Sequence, residues 1–161
     1  HEVGAVVTPT DYTARANLMW ASSLAINGLT SCGTGNAWSC HAIEHQLSAY
    51  YDITHGAGLA VVTIAWFDHI LSEKTLEKFV AYGKNVWGIK GEHPFAVAKE
   101  AIAKTREFFS SLGLPETLRG LGIHSSEYFH EMAKKAVKDD LRHAFVPLDE
   151  EDVVAIYSAS L

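Results

Sequence analysis

The feature that most constrains the fold is an apolar stretch from Ala57 to Phe67, which Thr63 interrupts and Asp68 ends. The stretch is far shorter than the ~20 residues that a helix needs to cross a bilayer. A helix that is apolar on nearly all sides is buried within a protein. The sequence therefore predicts a helix from about Ala57 to Leu71 at the centre of the fold.

Apolar residues at steps of three and four on both sides of this stretch predict further helices. One runs from an Asp11 cap to about Leu29, and the next from an Asn36 cap to about Tyr50. The remaining helices are predicted over 73–87, over 94–112, from Ser125 or Ser126 to Lys138, and from an acidic first turn at 149–152.

No stretch alternates between apolar and polar residues strongly enough to predict a sheet. The predicted fold class is therefore all-α, a helical bundle. Residues 1–10 have no clear period and are interpreted as an irregular lead-in or a scar of cloning, whereas residues 11–161 are predicted to form a single helical domain. The side chains expected to face the core on two later helices are Leu76, Phe79, Val80, Val86, Ala98, Ile102 and Phe109.

The charge balance argues against two kinds of partner. Lys plus Arg number 13 against 19 Asp plus Glu, which gives a net charge of −6. An acidic domain without a basic block is unsuited to nucleic acid or to an anionic membrane surface. Cys32 and Cys40 are too few for a disulfide framework, and they predict reduced thiols and a cytoplasmic location. Because the chain opens at His1 without a methionine, we expect it to be a piece of a longer protein.

Three of the nine histidines, His41, His45 and His55, lie close together in the sequence. His41 and His45 are four residues apart on a predicted helix, so their rings share one face. Imidazole is a common protein ligand of zinc and related divalent ions. A catalytic metal usually takes three protein ligands and an open position, so a metal site here needs further ligands. The alternative is a set of hydrogen-bonded histidines without a metal.

The segment His41–His45 also fits the H-x-x-E-H pattern of one group of zinc metallopeptidases. In that chemistry both histidines bind zinc and the glutamate, here Glu44, activates a water molecule. A distant glutamate on a helix completes the ligand set, and Glu116 and Glu127 are the candidates by sequence distance.

A longer series of matches is more specific than this five-residue pattern. In order, the matching segments are Arg15–Ala21, Asn27–Leu29, Trp38, His41–His45, Leu47–Ala49, Tyr51–Asp52, His55–Ala60, Ala65–Trp66, Asn85–Gly88, Phe108–Pro115 and Leu121–Ile123. They cover most of the chain after residue 10. In these segments the chain resembles the iron-containing (group III) alcohol dehydrogenases, in particular their NAD(P)H-dependent butanol dehydrogenase branch.

The resemblance implies a two-domain enzyme, of which this chain is similar only to the C-terminal, all-helical, metal-binding domain. His41 and His55 would be ligands of a divalent metal, iron or zinc. His45 would lie beside the nicotinamide of NAD(P)H and assist proton transfer, which makes it the catalytic and coenzyme-binding residue. The substrate would be a small primary alcohol such as butanol, or the matching aldehyde. The N-terminal coenzyme-binding domain would be the partner of this chain.

Two features of the family are missing from the sequence. The family's other two metal ligands belong to an Asp-x-x-x-His helix upstream of the matched region, and residues 1–10 contain no such motif. No glycine-rich coenzyme turn is present either. The chain alone is therefore predicted to be inactive, and exposed apolar cleft surface is expected to favour a homo-oligomer. The alternative is a non-enzymatic helical module that self-associates.

The sequence also raises expectations about the surroundings of four further residues. Trp38 and Trp66 either line the apolar wall of the pocket or pack in the core. Glu44 is either an acid on the helix face or a residue that orients a ligand histidine. Ile64 stands where relatives commonly have proline, so the central helix is expected to be uninterrupted.

Overall fold

The computed structural model of this protein describes residues 7–33, 37–137 and 140–161. The chain divides into two compact units, residues 1–36 and residues 37–161. No residue in the described ranges lies in a β-strand, and the regular structure consists of α-helices and short 3-10 turns. The predicted all-α fold class is confirmed.

The described part of the first unit contains helix α1, Tyr12–Ile26. Asp11 caps this helix as predicted, because its carboxylate accepts the Ala14 N–H at 3.0 Å. Ala14 is also the buried residue of the helix. The predicted end at Leu29 is too late, since α1 stops at Ile26 and Leu29 begins a separate 3-10 turn.

The described part of the second unit contains six α-helices. They are α2 Ser39–Tyr51, α3 His55–Ile70, α4 Leu76–Trp87, α5 Pro94–Ser111, α6 Phe129–Ala136 and α7 Glu150–Ser160. Helix α3, predicted from the apolar stretch, packs against α2, α5 and α7, which places it at the centre of this unit. Within the described ranges, no helix combines the length and the apolar character that crossing a bilayer requires.

The core of the second unit forms around α3. The side chains that α3 buries include Val61, Val62, Ile64, Ala65 and Ile70. Tyr157 of α7 is fully buried, and its hydroxyl donates a hydrogen bond to the Ile43 carbonyl oxygen of α2 at 2.6 Å. Burial raises the pKa of Tyr157, so the hydroxyl keeps its proton. The hydrogen bond satisfies the polar group that this large side chain brings into the core.

Helices α4 and α5 approach each other closely at Gly83. A Cβ atom at this position would lie 3.0 Å from Val97 Cγ1 and 3.2 Å from Ala101 Cβ. The absence of a side chain at Gly83 therefore lets the two helices pack at short range. Both helices lie within the ranges predicted for them, which are 73–87 for α4 and 94–112 for α5.

Most of the side chains expected to face the core on α4 and α5 do so. Phe79, Ala98 and Ile102 are buried, and Leu76, Val80 and Phe109 are partly buried. The prediction for Val86 is wrong, since this residue is 61% exposed. The last turn of α4 instead directs Trp87 inward, where its ring meets those of Tyr82 and Phe108 at centroid distances of 6.4 Å and 6.0 Å.

The ends of the remaining helices agree with the prediction in part. The predicted cap Asn36 and the predicted end at Lys138 lie outside the described residues. Helix α6 begins at Phe129 and not directly after Ser125 or Ser126, and Ser125 Oγ accepts the Glu127 N–H at 3.1 Å in the turn before the helix. Helix α7 follows a capping box between Asp149 and Asp152, which confirms a helix start at the acidic residues.

Candidate metal centre

The clustered histidines come from two consecutive helices of the second unit. His41 and His45 lie one turn apart on α2, and His55 is the first residue of α3. Helix α2 ends at Tyr51 and is followed by Asp52, whose left-handed backbone (φ 51°, ψ 42°) lets the chain turn into α3 without a glycine. Helix α3 begins at His55 rather than at the predicted Ala57, so His55 belongs to the first helical turn.

The three imidazole rings converge on one another. Ring centroids are 5.2 Å apart for His41 and His55, 5.1 Å for His45 and His55, and 6.0 Å for His41 and His45. The ring of Trp38 meets His41 edge-to-face with a centroid distance of 4.5 Å, and Trp38 is 41% exposed. Trp38 therefore lies beside the imidazole cluster rather than in the core.

Glu44, on the same helix, is a fully buried acid in contact with this cluster. One of its carboxylate oxygens, Oε2, contacts His55 Nδ1, and the other, Oε1, accepts a hydrogen bond from Ser48 Oγ at 2.6 Å. A buried carboxylate is strongly unfavourable unless it is paired and hydrogen-bonded. The contacts with His55 and Ser48 supply that compensation. Glu44 is therefore not an acid on an exposed helix face.

The electrostatics of the cluster favour a neutral imidazole at His41. Partial burial lowers the pKa of His41, and the neighbouring charges of His55 and His45 lower it further, whereas the charge of Glu44 acts in the opposite direction. A neutral imidazole has a lone pair available for a metal, because a protonated ring has none. The surroundings of His41 thus suit a ligand.

The donor atoms present fit a divalent metal. Among the described residues, Glu44, His45 and His55 each place one potential ligand atom within 4.8 Å of the others. The set expected from the resemblance, His41 and His55, has its ring centroids 5.2 Å apart. Imidazole nitrogens and carboxylate oxygens are donors that iron and zinc both accept. The cluster therefore offers more than one possible ligand set within a small volume.

The burial of Glu44 argues against the zinc metallopeptidase interpretation. In that chemistry the glutamate must reach a water molecule beside the metal. Glu44 is 0% exposed, and both of its oxygens already have protein partners. Glu116 and Glu127, the candidates for the distant ligand, are exposed and lie in turns outside the α-helices.

Trp66 lies at the opposite end of α3 from His55. The two residues are eleven positions apart on one helix, which corresponds to roughly 16 Å. Trp66 lines a separate, almost wholly apolar cavity of about 300 Å³ together with Phe67, Phe79 and Tyr82. Trp66 therefore lines this separate apolar cavity rather than a pocket at the histidine cluster.

Two residues of the cluster were not singled out from the sequence. Ser48 lies four residues after Glu44, a spacing that places both side chains on one helix face. Gly58 lies three residues after His55, and a Cβ atom there would lie only 2.5 Å from Glu44 Oε1. The i, i+4 spacing could have indicated Ser48. No local signal could have indicated Gly58, because its importance depends on how α2 and α3 pack.

Comparison with known protein families finds a match over nearly the whole chain. Residues 3–161 match the C-terminal part of the Fe-containing alcohol dehydrogenase family. The chain is 54% identical over 153 residues to NADH-dependent butanol dehydrogenase A of Clostridium acetobutylicum, a match that covers 93% of this chain and 39% of the relative. Butanol dehydrogenase B of the same organism is 50% identical over 165 residues, covering 98% of this chain and 41% of the relative.

A solved structure shares the fold. NADH-dependent butanol dehydrogenase A from Thermotoga maritima superposes with a TM-score of 0.86 and 33% sequence identity, and the match covers 97% of this chain and 41% of that one. This chain therefore spans about two fifths of the length of the relatives that it matches.

Proposed function

The chain belongs to the Fe-containing alcohol dehydrogenase family, as its C-terminal helical part, and we propose that it is the metal-binding domain of an NAD(P)H-dependent alcohol dehydrogenase. The observation that carries the proposal is the convergence of three imidazoles with centroid distances of 5.1–6.0 Å at the start of α3. One of them, His55, has a buried carboxylate partner, as metal-binding histidines commonly do.

In this proposal His41 and His55 hold a divalent metal, iron or zinc. The lowered pKa of His41 supports the assignment, because a neutral ring keeps its lone pair for the metal. When bound, the metal supplies Lewis-acid polarisation of the substrate oxygen. The remaining ligands would come from the upstream Asp-x-x-x-His motif that the family resemblance implies.

His45 would handle the proton of the reaction. Reduction of an aldehyde moves a hydride from NAD(P)H to the carbonyl carbon and requires a proton at the oxygen. His45 is exposed and lies one turn from His41 on the same helix, so its ring can exchange a proton with substrate or with solvent. Glu44 is 0% exposed and bonded to Ser48, and is unsuited to this role.

The substrate and coenzyme follow from the relatives. The two Clostridium relatives are NADH-dependent butanol dehydrogenases, which supports a small primary alcohol such as butanol as the substrate and NADH or NADPH as the coenzyme. The relatives are more than twice as long as the matched region. We therefore propose that a coenzyme-binding N-terminal domain is the partner of this chain. We also propose that the whole enzyme is a cytoplasmic homo-oligomer.

Metal analysis of the purified chain tests the proposal. Because the upstream ligands are missing from this sequence, we expect weaker but saturable uptake of iron, zinc or cobalt, and loss of that uptake in His41→Ala and in His55→Ala. His69→Ala is the matched control, since it removes an imidazole from the opposite end of the same helix α3. Metal retained in both cluster variants, or lost equally in His69→Ala, would contradict the assignment of His41 and His55 as ligands.

An activity assay tests whether catalysis requires the N-terminal coenzyme-binding domain. The chain alone should not reduce butanal with NADH or NADPH, because no glycine-rich coenzyme turn is present in the sequence. Turnover by the purified chain at the rate of a full-length butanol dehydrogenase would contradict this part of the proposal.

Self-association is the second candidate function. Apolar side chains of α1 are exposed, among them Met19 at 72%, Trp20 at 67% and Ile26 at 69%. Exposed apolar surface of this kind favours association between copies of a chain. Light scattering after gel filtration measures the mass, and a monomer at all concentrations would exclude this candidate.

A further inference from the structure

The carboxylate of Glu44 is fully buried although a carboxylate in a protein interior is unfavourable. Both of its oxygens contact polar side chains of the protein. Oε1 accepts the hydroxyl of Ser48 at 2.6 Å, and Oε2 contacts Nδ1 of His55. The Ser48 hydroxyl also lies 3.3 Å from the Ile53 carbonyl oxygen, in the turn between α2 and α3.

The packing around Glu44 leaves the carboxylate little room to move. A Cβ atom on Gly58 would lie 2.5 Å from Glu44 Oε1, 2.8 Å from Glu44 Cγ and 3.0 Å from Ile53 Cδ1. Any side chain at position 58 would therefore displace the carboxylate. Gly58 thus provides the space that Glu44 occupies, and the carboxylate is held between α2 and α3.

The contact between Glu44 and His55 determines the form of the imidazole. An ionised carboxylate only accepts hydrogen bonds, so the nitrogen that faces it must carry a hydrogen. In a neutral His55 the hydrogen therefore resides on Nδ1, and Nε2 keeps its lone pair. Free imidazole side chains in water favour the opposite form, with the hydrogen on Nε2. The carboxylate thus selects the tautomer that leaves Nε2 available.

We propose that Glu44 is a positioning residue, which fixes His55 as the Nδ1–H tautomer and orients its Nε2 as a ligand atom. The role of Nε2 rests on the proposed metal-binding function, whereas the tautomer does not require a metal. Glu44 acts through His55 and not as a ligand itself, because both of its oxygens are engaged and it is 0% exposed. The side chain of His55, in contrast, is 45% exposed.

The ring nitrogens of His55 report the tautomer directly. Long-range ¹H–¹⁵N spectra of the metal-free chain, recorded about two pH units above the ordinary histidine pKa of ~6.5, distinguish a protonated nitrogen from one with a free lone pair. We expect Nδ1–H in the natural chain. In Glu44→Met, which keeps the length of the side chain but removes the acceptor, we expect Nε2–H to predominate.

Two variants serve as controls. Glu44→Gln keeps the shape and one acceptor oxygen, so we expect a mixture of the two tautomers. Glu107→Gln makes the same chemical change at an exposed position of α5 and should leave His55 unchanged. The resonances of His69 verify that each variant is folded. Nε2–H in the natural chain, or an unchanged His55 in both Glu44 variants, would overturn the proposal.

Zinc affinity separates this proposal from the proposed function. Loss of a carboxylate that orients a ligand histidine typically lowers metal affinity about 10-fold to 100-fold, and we expect that loss in Glu44→Gln. Tautomer control without zinc binding in the natural chain would leave the positioning role intact and contradict the metal site. Zinc binding that needs His41 and His55 but not Glu44 would support the metal site and contradict the positioning role. Loss of zinc in Glu44→Gln with His55 still Nδ1–H would identify Glu44 as a ligand and overturn the positioning role.

Discussion

Helix α3 carries a histidine–carboxylate contact at each end, and the two contacts differ in burial. At the N-terminal end His55 Nδ1 contacts Glu44, whose side chain is 0% exposed. At the C-terminal end His69 Nε2 lies 2.9 Å from Asp152 Oδ1, and the two side chains are 26% and 35% exposed. An exposed pair contributes little to stability and costs little to keep. A buried carboxylate is expensive to desolvate, which indicates a role other than stability.

The surroundings of the two ends reinforce this difference. Near His55 the neighbours are two further imidazoles, His41 and His45, within 5.2 Å between ring centroids. Near the other end, the ring of Phe67 packs against Phe79 and Tyr82 at centroid distances of 5.4 Å and 5.8 Å. One end of α3 therefore gathers ionisable polar groups, whereas the other is held by aromatic packing.

Truncation of Phe79 should have the largest effect, and it should affect only the packed end. Phe79 is 6% exposed, so Phe79→Ala leaves a cavity beneath Phe67. We expect the free energy of unfolding to fall by about 3 kcal/mol in urea denaturation, with metal uptake unchanged. Val86→Ala on the same helix is the control: Val86 is 61% exposed, and the expected change is within about 0.5 kcal/mol. Equal losses in the two variants would contradict the burial of Phe79.

The second prediction concerns the buried hydroxyl that closes α3. Thr75 is 2% exposed, and its Oγ1 donates to the Ile70 carbonyl oxygen at 2.7 Å and accepts the Ser72 N–H at 2.9 Å. Thr75→Val keeps the shape but removes both hydrogen bonds, so we expect a loss of about 2 kcal/mol in thermal or urea unfolding. Thr75→Ser retains the hydroxyl and should lose less than half as much. A valine variant that is no less stable than the serine variant would contradict the contribution of the two hydrogen bonds.

The third prediction compares two glycines in the first turns of α3. In Gly58→Ala the new Cβ would collide with Glu44, and we expect a net loss of about 1 kcal/mol after the gain in helix propensity. The same substitution should disturb the His55 tautomer. At Gly56 nothing lies within 4 Å of an added Cβ, so Gly56→Ala should gain about 0.5 kcal/mol. Calorimetric unfolding measures both, and changes of the same sign would refute the close packing around Glu44.

The smallest effect is expected at the exposed pair. His69→Ala removes the contact with Asp152 but leaves Asp152 Oδ2 to accept the Asp149 N–H at 2.9 Å in the capping box. We expect a loss of at most about 0.5 kcal/mol, because exposed pairs contribute little. Urea unfolding checks this value. A loss above about 2 kcal/mol would show that the two ends of α3 differ less than their burial indicates.

Much of the fold could be predicted from local patterns. The Asp11 cap, the acidic start of α7 and the central position of α3 all follow from residue types and spacing, and the structure confirms them. The wrong prediction for Val86 has a tertiary cause. Both Val86 and Trp87 are apolar, and only the packing of α4 against α5 selects Trp87 as the inward residue.

Part of the candidate site could also be predicted. The i, i+4 spacing places His41 and His45 on one face of α2, and the three rings do come together. The environment of Glu44 could not be predicted, because nothing in its own helix shows that it is buried. Its partner His55 follows eleven residues later, after a turn at Asp52. An aspartate can adopt the left-handed backbone of this turn, but the sequence does not require it.

The sequence by itself therefore determined the all-α class, the central apolar helix and the candidates for metal ligands, because periodicity and residue chemistry are local properties. Only the tertiary structure decided which of the chemically similar residues differ in role. Glu44 and Asp152 are both acids that contact a histidine of α3, yet one is buried between two helices and the other is partly exposed. The physical reason is that desolvation depends on what packs around a group, and that packing is a property of the whole unit.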